Sequence, residues 1–143
     1  MIRKIEQHEL DEAINLSLQV CMQCGMDDFD DEGIETFRSF IHNRQLMTEL
    51  TVYGAFEDNK LIGILGTKNN NKHISLFFIL PEYHRNGIGK ALFDIMVCEY
   101  PVPEITVNSS TYAVPFYKSL GFEQIGGIDC SRGITSVPMK RIS

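Results

Sequence analysis

The stretch Tyr83–Leu92, YHRNGIGKAL, places Gly87 and Gly89 on either side of Ile88, with Arg85 before them and Lys90 after, and a helix-forming run follows at once. The first turn of a helix carries backbone N–H groups with no intrahelical partner. Its aligned dipoles favour a negative group at that end. A Cβ at position 87 or 89 would hold an anion away from those donors, and glycine removes it. Arg85 and Lys90 add positive charge. The spacing suits an extended polyanion such as a pyrophosphate, the plainer alternative being a helix start whose glycines serve turn geometry alone. A Walker loop, GxxxxGK[ST], is absent. A dinucleotide fingerprint needs a third glycine, where Leu92 stands, and belongs after the first strand of a unit, whereas this stretch follows the fourth.

The elements that must position this stretch alternate along the chain, which is the pattern of an α/β domain. Residues 2–5 predict a first strand. Residues 11–24 predict a helix with Ala13, Ile14, Leu16, Leu18, Val20 and Cys21 on its apolar face. An acidic loop, 25–33, leads to a second helix over about 32–46, where Ile34, Phe37, Phe40 and Ile41 recur at helical spacing. Residues 51–68 are two strands joined at Asp58-Asn59-Lys60. A further strand, 73–80, is apolar at nearly every position from Leu76 to Leu80, so both of its faces are expected to be covered, and Pro81 ends it. A helix from Gly87 to Glu99, a strand at 104–108, a helix from Tyr112 to Leu120 stopped by Gly121, and strands near 122–127 and 134–140 complete the order βααβββαβαββ.

A length of 143 residues predicts one domain, residues 1–143. Hydrophobic residues at 43% and charged residues at 22% are ordinary for a globular chain. The formal net charge of −6 argues against nucleic acid as a partner, because phosphate contacts need a basic face. No apolar run reaches the ~20 residues of a membrane span, and the N-terminus lacks the apolar core of a signal peptide. The expectation is a cytoplasmic protein. Cys21 and Cys24 form a CxxC, but they sit at an apolar helix end with no second pair and no nearby His, so no metal is expected.

The stretch LPEYHRNGIGKALF (80–93) resembles motif A of the GNAT superfamily of acyl-CoA-dependent N-acetyltransferases, Q/R-x-x-G-x-G/A, on the turn between the fourth strand and its helix. The stretch TVNSSTYAVPFYKSLGFE (106–123) resembles the family's motif B, whose helix carries FYxxxGF. The resemblance implies a GNAT fold, a mixed and mostly antiparallel sheet of about six or seven strands splayed between the fourth and fifth and flanked by about four helices. It also implies acetyl-CoA as co-substrate and an amine as acceptor. The pyrophosphate would be held by backbone amides of Arg85, Asn86, Gly87, Ile88, Gly89 and Lys90. The pantetheine arm would pair like an added strand with the backbone of Phe78, Ile79 and Leu80. His84 stands where the motif usually has Gln or Arg, and it can still donate a hydrogen bond while neutral. Many relatives have Asn seven residues before the motif B tyrosine, where this chain has Ser110, its nearest Asn being Asn108. Both are candidates for cofactor contact.

Tyr117 matches the family's tyrosine that gives a proton to the departing coenzyme A thiolate. A phenol pKa near ~10 and a thiol pKa near ~8.5 are close enough for that exchange. A core aromatic is the alternative. For the general base, His73 falls at or near the place of the glutamate used by the histone-acetyltransferase branch, with a suitable imidazole pKa. The alternative is that His73 merely opens the strand after NNNK. The run Asp27, Asp28, Asp30, Asp31, Glu32 and Glu35 would border the family's acceptor site and draw in a cationic amine, or else is a solvated loop with helix-capping acids. The acceptor remains open among a small polyamine-like or aminoglycoside-like molecule and a protein amine. A non-catalytic acyl-CoA sensor is the reading from a different class, and a monomer or a homodimer fits either.

Overall fold

The chain opens with β1 (Ile2–Lys4) and, after one 3-10 turn, α1 (Leu10–Cys24). The computed structural model describes residues 1–143. Leu10, Ala13, Ile14, Ser17, Val20 and Cys21 form the buried stripe of α1, at the spacing of one helix face. The second expected helix is two. α2 (Asp31–Ile41) stops at His42, and α3 (Arg44–Thr48) restarts with Asn43 as its cap, the Asn43 side chain accepting from the Leu46 N–H at 3.1 Å. Asn satisfies an orphan helix donor from outside the helix, which explains the break.

β2 (Thr51–Glu57) and β3 (Lys60–Lys68) form the expected hairpin. Asp58 and Asn59 both take positive φ (50° and 64°), the turn geometry that matches the twist of the flanking strands. β4 (His73–Ile79), α4 (Ile88–Glu99), β5 (Glu104–Ser109) and α5 (Val114–Ser119) follow. The final segment holds three strands where two were expected: β6 (Glu123–Gln124), β7 (Asp129–Ser131) and β8 (Ile134–Ile142). The β7–β8 turn passes through Arg132 and Gly133 at φ 53° and 79°. The result is an α/β architecture with eight strands and five α-helices rather than about six or seven and about four.

The sheet order is β1-β2-β3-β4-β5-β8-β6, with β7 also paired to β8. Every pairing is antiparallel except β4 with β5, which is parallel and matched at only His73↔Thr106 and Ile74↔Val107. β5 then runs with β8 from Glu104↔Ile142 to Ser109↔Val137. β4 keeps β3 on its other side as far as Ile79. Beyond Ile74 the sheet therefore opens between two parallel strands. α1 packs on β3 and β4, and α4 packs on β1, β2, β3 and β4. Leu61, Ile62, Ile64, Leu65 and Thr67 are buried along β3, the centre of the core.

β4 departs from its expected burial. Leu76 and Leu80 are buried, but Phe77, Phe78 and Ile79 are only partly so. Their apolar character faces the opening between the strands, not a second packed layer.

Candidate active site

A cavity of about 840 Å³ occupies that opening. Its walls are the outer half of β4, the turn into α4, the start of α5, the end of α1 with the loop to α2, and the beginning of β8. Peptide groups alternate sides along an antiparallel strand. The Leu80 N–H donates to Ile62 O in β3 at 2.9 Å, so Phe77 and Ile79 direct their own peptide groups into the opening. Of the three residues expected to present backbone there, Ile79 does so. Phe78 lines the cavity, whereas Leu80 is buried and turned to β3. The Ile79 carbonyl already accepts from the His84 ring, whose Nε2–H donates at 2.7 Å. His84 thus ties the turn to the strand end.

At the mouth of α4 the two glycines have different reasons. Gly87 caps the helix at φ 78°, and a Cβ built there meets nothing within 4 Å. The turn needs its left-handed backbone, and the space beside it is open. A Cβ on Gly89 would lie 2.9 Å from Phe116 Cζ, so this glycine lets α4 approach α5. Arg85 also takes positive φ (66°). His84, Arg85, Gly87, Ile88, Gly89 and Lys90 all line the cavity, and Asn86 does not. Lys90 Nζ pairs with Asp94 Oδ2 at 2.7 Å.

Tyr117 lines the same cavity. Its ring packs edge-on against Phe122, Phe116 and Phe77 at 5.3, 5.5 and 6.0 Å between centroids. Burial pushes the phenol well above its ordinary range, which keeps the proton on oxygen at neutral pH. Asn108 and Ser110 both reach the cavity. The Ser110 hydroxyl also accepts from the Ala113 N–H at 3.1 Å, shaping the turn into α5.

His73 stands elsewhere. It opens β4 where β4 and β5 still pair, its Nδ1 hydrogen-bonds Thr106 Oγ1 at 2.7 Å, and it does not line the cavity. Burial, with the Lys68 charge adding, lowers its pKa. The structure does not bring it together with Tyr117.

The acidic run divides. Asp30 caps α2, accepting from the Gly33 N–H at 2.9 Å. Asp28 is buried and accepts from Thr111, the N–H at 3.0 Å and the hydroxyl at 2.7 Å. Only Asp28 of the six lines the cavity. Sequence reasoning missed the wall that Asp28 shares with Phe29, Phe37 and Phe40. Helical spacing assigned Phe37 and Phe40 to a core face, and no local pattern marks that face as open. Cys21 and Cys24 line the cavity too, and burial pushes the Cys21 thiol up to about 11, leaving it unreactive.

The model of the acetyltransferase (GNAT) domain family matches residues 26–143, and the chain belongs to that family. Solved structures agree on the fold. A protein from Rhodopseudomonas palustris described as a GCN5-related N-acetyltransferase superposes with a TM-score of 0.84 at 16% identity, covering 100% of this chain and 95% of the other. The PaiA N-acetyltransferase of Thermoplasma acidophilum, in complex with coenzyme A, gives 0.77 at 22% identity, covering 100% and 98%. An aminoglycoside 6′-N-acetyltransferase complexed with coenzyme A gives 0.66 at 12% identity, covering 99% and 96%. No helix is long and apolar enough to cross a membrane.

Proposed function

We propose that residues 1–143 form one cytoplasmic N-acetyltransferase unit that moves an acetyl group from acetyl-CoA to a primary amine. The observation that carries this reading is the cavity in the opened sheet, whose lining includes both the Gly87 mouth of α4 and Tyr117. The residues fit the co-substrate. The open space at Gly87, with Arg85 and Lys90 beside it, suits a pyrophosphate on backbone amides of 85–90. The edge of β4 at Phe77 and Ile79, where His84 already takes the Ile79 carbonyl, suits an amide-bearing arm laid down as an extra strand on the remaining peptide groups. The likeness to structures that contain coenzyme A supports the same ligand.

When bound, acetyl-CoA supplies a thioester carbon that forms a bond to nitrogen as its C–S bond breaks. Tyr117 lines the cavity and keeps its proton at neutral pH. Burial makes the phenol a weaker acid, but the same apolar setting raises the proton affinity of a thiolate leaving there, so Tyr117 is the general acid of this proposal. The Ile79–His84 contact fixes the turn.

Acetyl-CoA is expected to raise the melting temperature, and coenzyme A release is expected with a suitable primary amine. Gly87→Val should abolish the ligand-induced shift by closing the open space and straining the turn. Absence of a shift in the wild type would remove the acetyl-CoA assignment. A shift without release over a broad amine panel would favour an acyl-CoA sensor.

A further inference from the structure

The cavity is electrostatically divided. Its basic side chains, Arg85 and Lys90, stand at the α4 mouth, and Asp28 is its only carboxylate, on the wall between α1 and α2. Asp28 is 6% exposed and has no Lys or Arg partner among the ion pairs. Its two hydrogen bonds, both from Thr111, use one site on each oxygen, and a carboxylate offers about four. A buried carboxylate with spare capacity and no countercharge favours a cationic ligand. Beside it stand Phe29, Phe37, Phe40 and Phe78, with Phe29–Phe37 and Phe37–Phe78 centroids 5.9 and 6.0 Å apart. Aromatic faces accept apolar groups and attract cations.

The wall is preorganised. Phe29 bridges to Ile134, the Asp30 N–H donates to Gly133 O at 3.0 Å, and the Thr36 hydroxyl donates to Arg132 O at 3.0 Å. Gly33 and Gly133 pack so closely that neither has room for a Cβ.

We infer that the acceptor is a small apolar monoamine, an arylalkyl or branched-alkyl primary amine, whose nitrogen is bound by Asp28 and whose body lies on the Phe29–Phe37–Phe40 wall. The inference rests on the acetyltransferase reading and names its substrate class. One carboxylate matches one cation. A polyamine or aminoglycoside would leave its other ammonium groups against apolar side chains without partners. Asp28 accepts an N–H bond from the amine whether charged or neutral, so it holds the nitrogen both before and after its proton passes to solvent. Its role is to bind and select.

The test is titration of 2-phenylethylamine into the protein–coenzyme A complex, with wild type, Asp28→Asn and Thr111→Val, alongside acetylation kinetics. Asn can keep both contacts to Thr111, its carbonyl accepting the N–H and its amide donating to the hydroxyl, so the change isolates the charge. Wild type should bind the amine. Asp28→Asn should weaken binding and raise KM by about 10–100-fold, the scale of a charged hydrogen bond, with kcat changed far less. Its melting shift with coenzyme A should be unchanged, which reports an intact fold. Thr111→Val, which removes one bond and keeps the carboxylate, should cost clearly less. Spermidine, an aminoglycoside and an N-terminal peptide amine should each show kcat/KM at least about 10-fold lower. No binding of 2-phenylethylamine, equal binding by Asp28→Asn, an equal loss in Thr111→Val, or preference for one of the other three would overturn the inference. Binding that depends on Asp28 but is never followed by acetylation would instead overturn acetyl transfer and leave the amine site standing.

Discussion

The α4 mouth and the α1–α2 wall both border the cavity, yet they are assembled differently. The mouth is a run of neighbours, His84 to Lys90, whose backbone geometry is set within the turn itself by Gly87 at φ 78° and by His84 reaching Ile79 five positions back. The wall is built from distant segments. Asp28 is held by Thr111, 83 positions away, and Thr36 by Arg132, 96 positions away. A site made of consecutive residues leaves a spacing pattern in the chain. A site made of distant segments leaves only residue types, which several packings would satisfy equally.

The strongest way to break this comparison is at Tyr117, the general acid of the proposed reaction, which lines the cavity that both regions border. Tyr117→Phe keeps the ring packed among Phe77, Phe116 and Phe122 and removes the proton. Turnover should fall by roughly 10²–10⁴ with acetyl-CoA binding unchanged, read from single-turnover and steady-state rates. An unchanged rate when chemistry limits turnover would reduce Tyr117 to a core aromatic.

The two glycines sharpen the comparison within the mouth itself. Gly89→Val forces side-chain atoms into Phe116 and should lower stability by about 1–3 kcal/mol, seen in urea unfolding. Gly87→Val enters open space and carries the strain of a branched residue at positive φ, also of order 1–3 kcal/mol. They should separate on ligand. Where enough protein stays folded, Gly89→Val should keep part of the acetyl-CoA melting shift, and Gly87→Val should keep none. Equal retention in both would mean that the Gly87 space is not the anion site.

The smallest expected effect lies outside both regions. His73 has a folded pKa depressed by burial, so it is neutral in the native state while the unfolded chain takes up a proton near its ordinary ~6.5. Its contribution is therefore absent above pH ~6.5. Native stability falls as pH drops below that value towards the folded pKa. His73→Gln should flatten this part of the stability-versus-pH curve, measured by chemical denaturation. If it instead removed an ionisation from the kcat profile, His73 would belong to the reaction despite standing outside the cavity lining.

Legibility followed the same division. The hairpin at Asp58-Asn59, the strand ended by Pro81 and the helix opened at Gly87 were readable because each depends on neighbouring residues. The break between α2 and α3 was also locally encoded, in Asn43, but the apolar spacing across 32–46 outweighed it. β7 was missed because three exposed residues carry no burial pattern, and its pairing depends on the turn at Arg132-Gly133. Phe77, Phe78 and Ile79 were expected to be covered because a continuous apolar run reads the same whether it meets a second layer or a cavity.

By itself the sequence determined the element order, the Gly87 turn and the two motifs that name the family, since these rest on backbone preference and residue spacing along one segment. The tertiary structure alone decided that β4 and β5 pair at only two positions and then part. It also decided that Gly89 serves Phe116, that His84 serves Ile79, and that Asp28 is the single acid to reach the cavity. Each of these is a contact between segments. Such contacts depend on how far two strands diverge and which faces then meet, and no short stretch of chain encodes that.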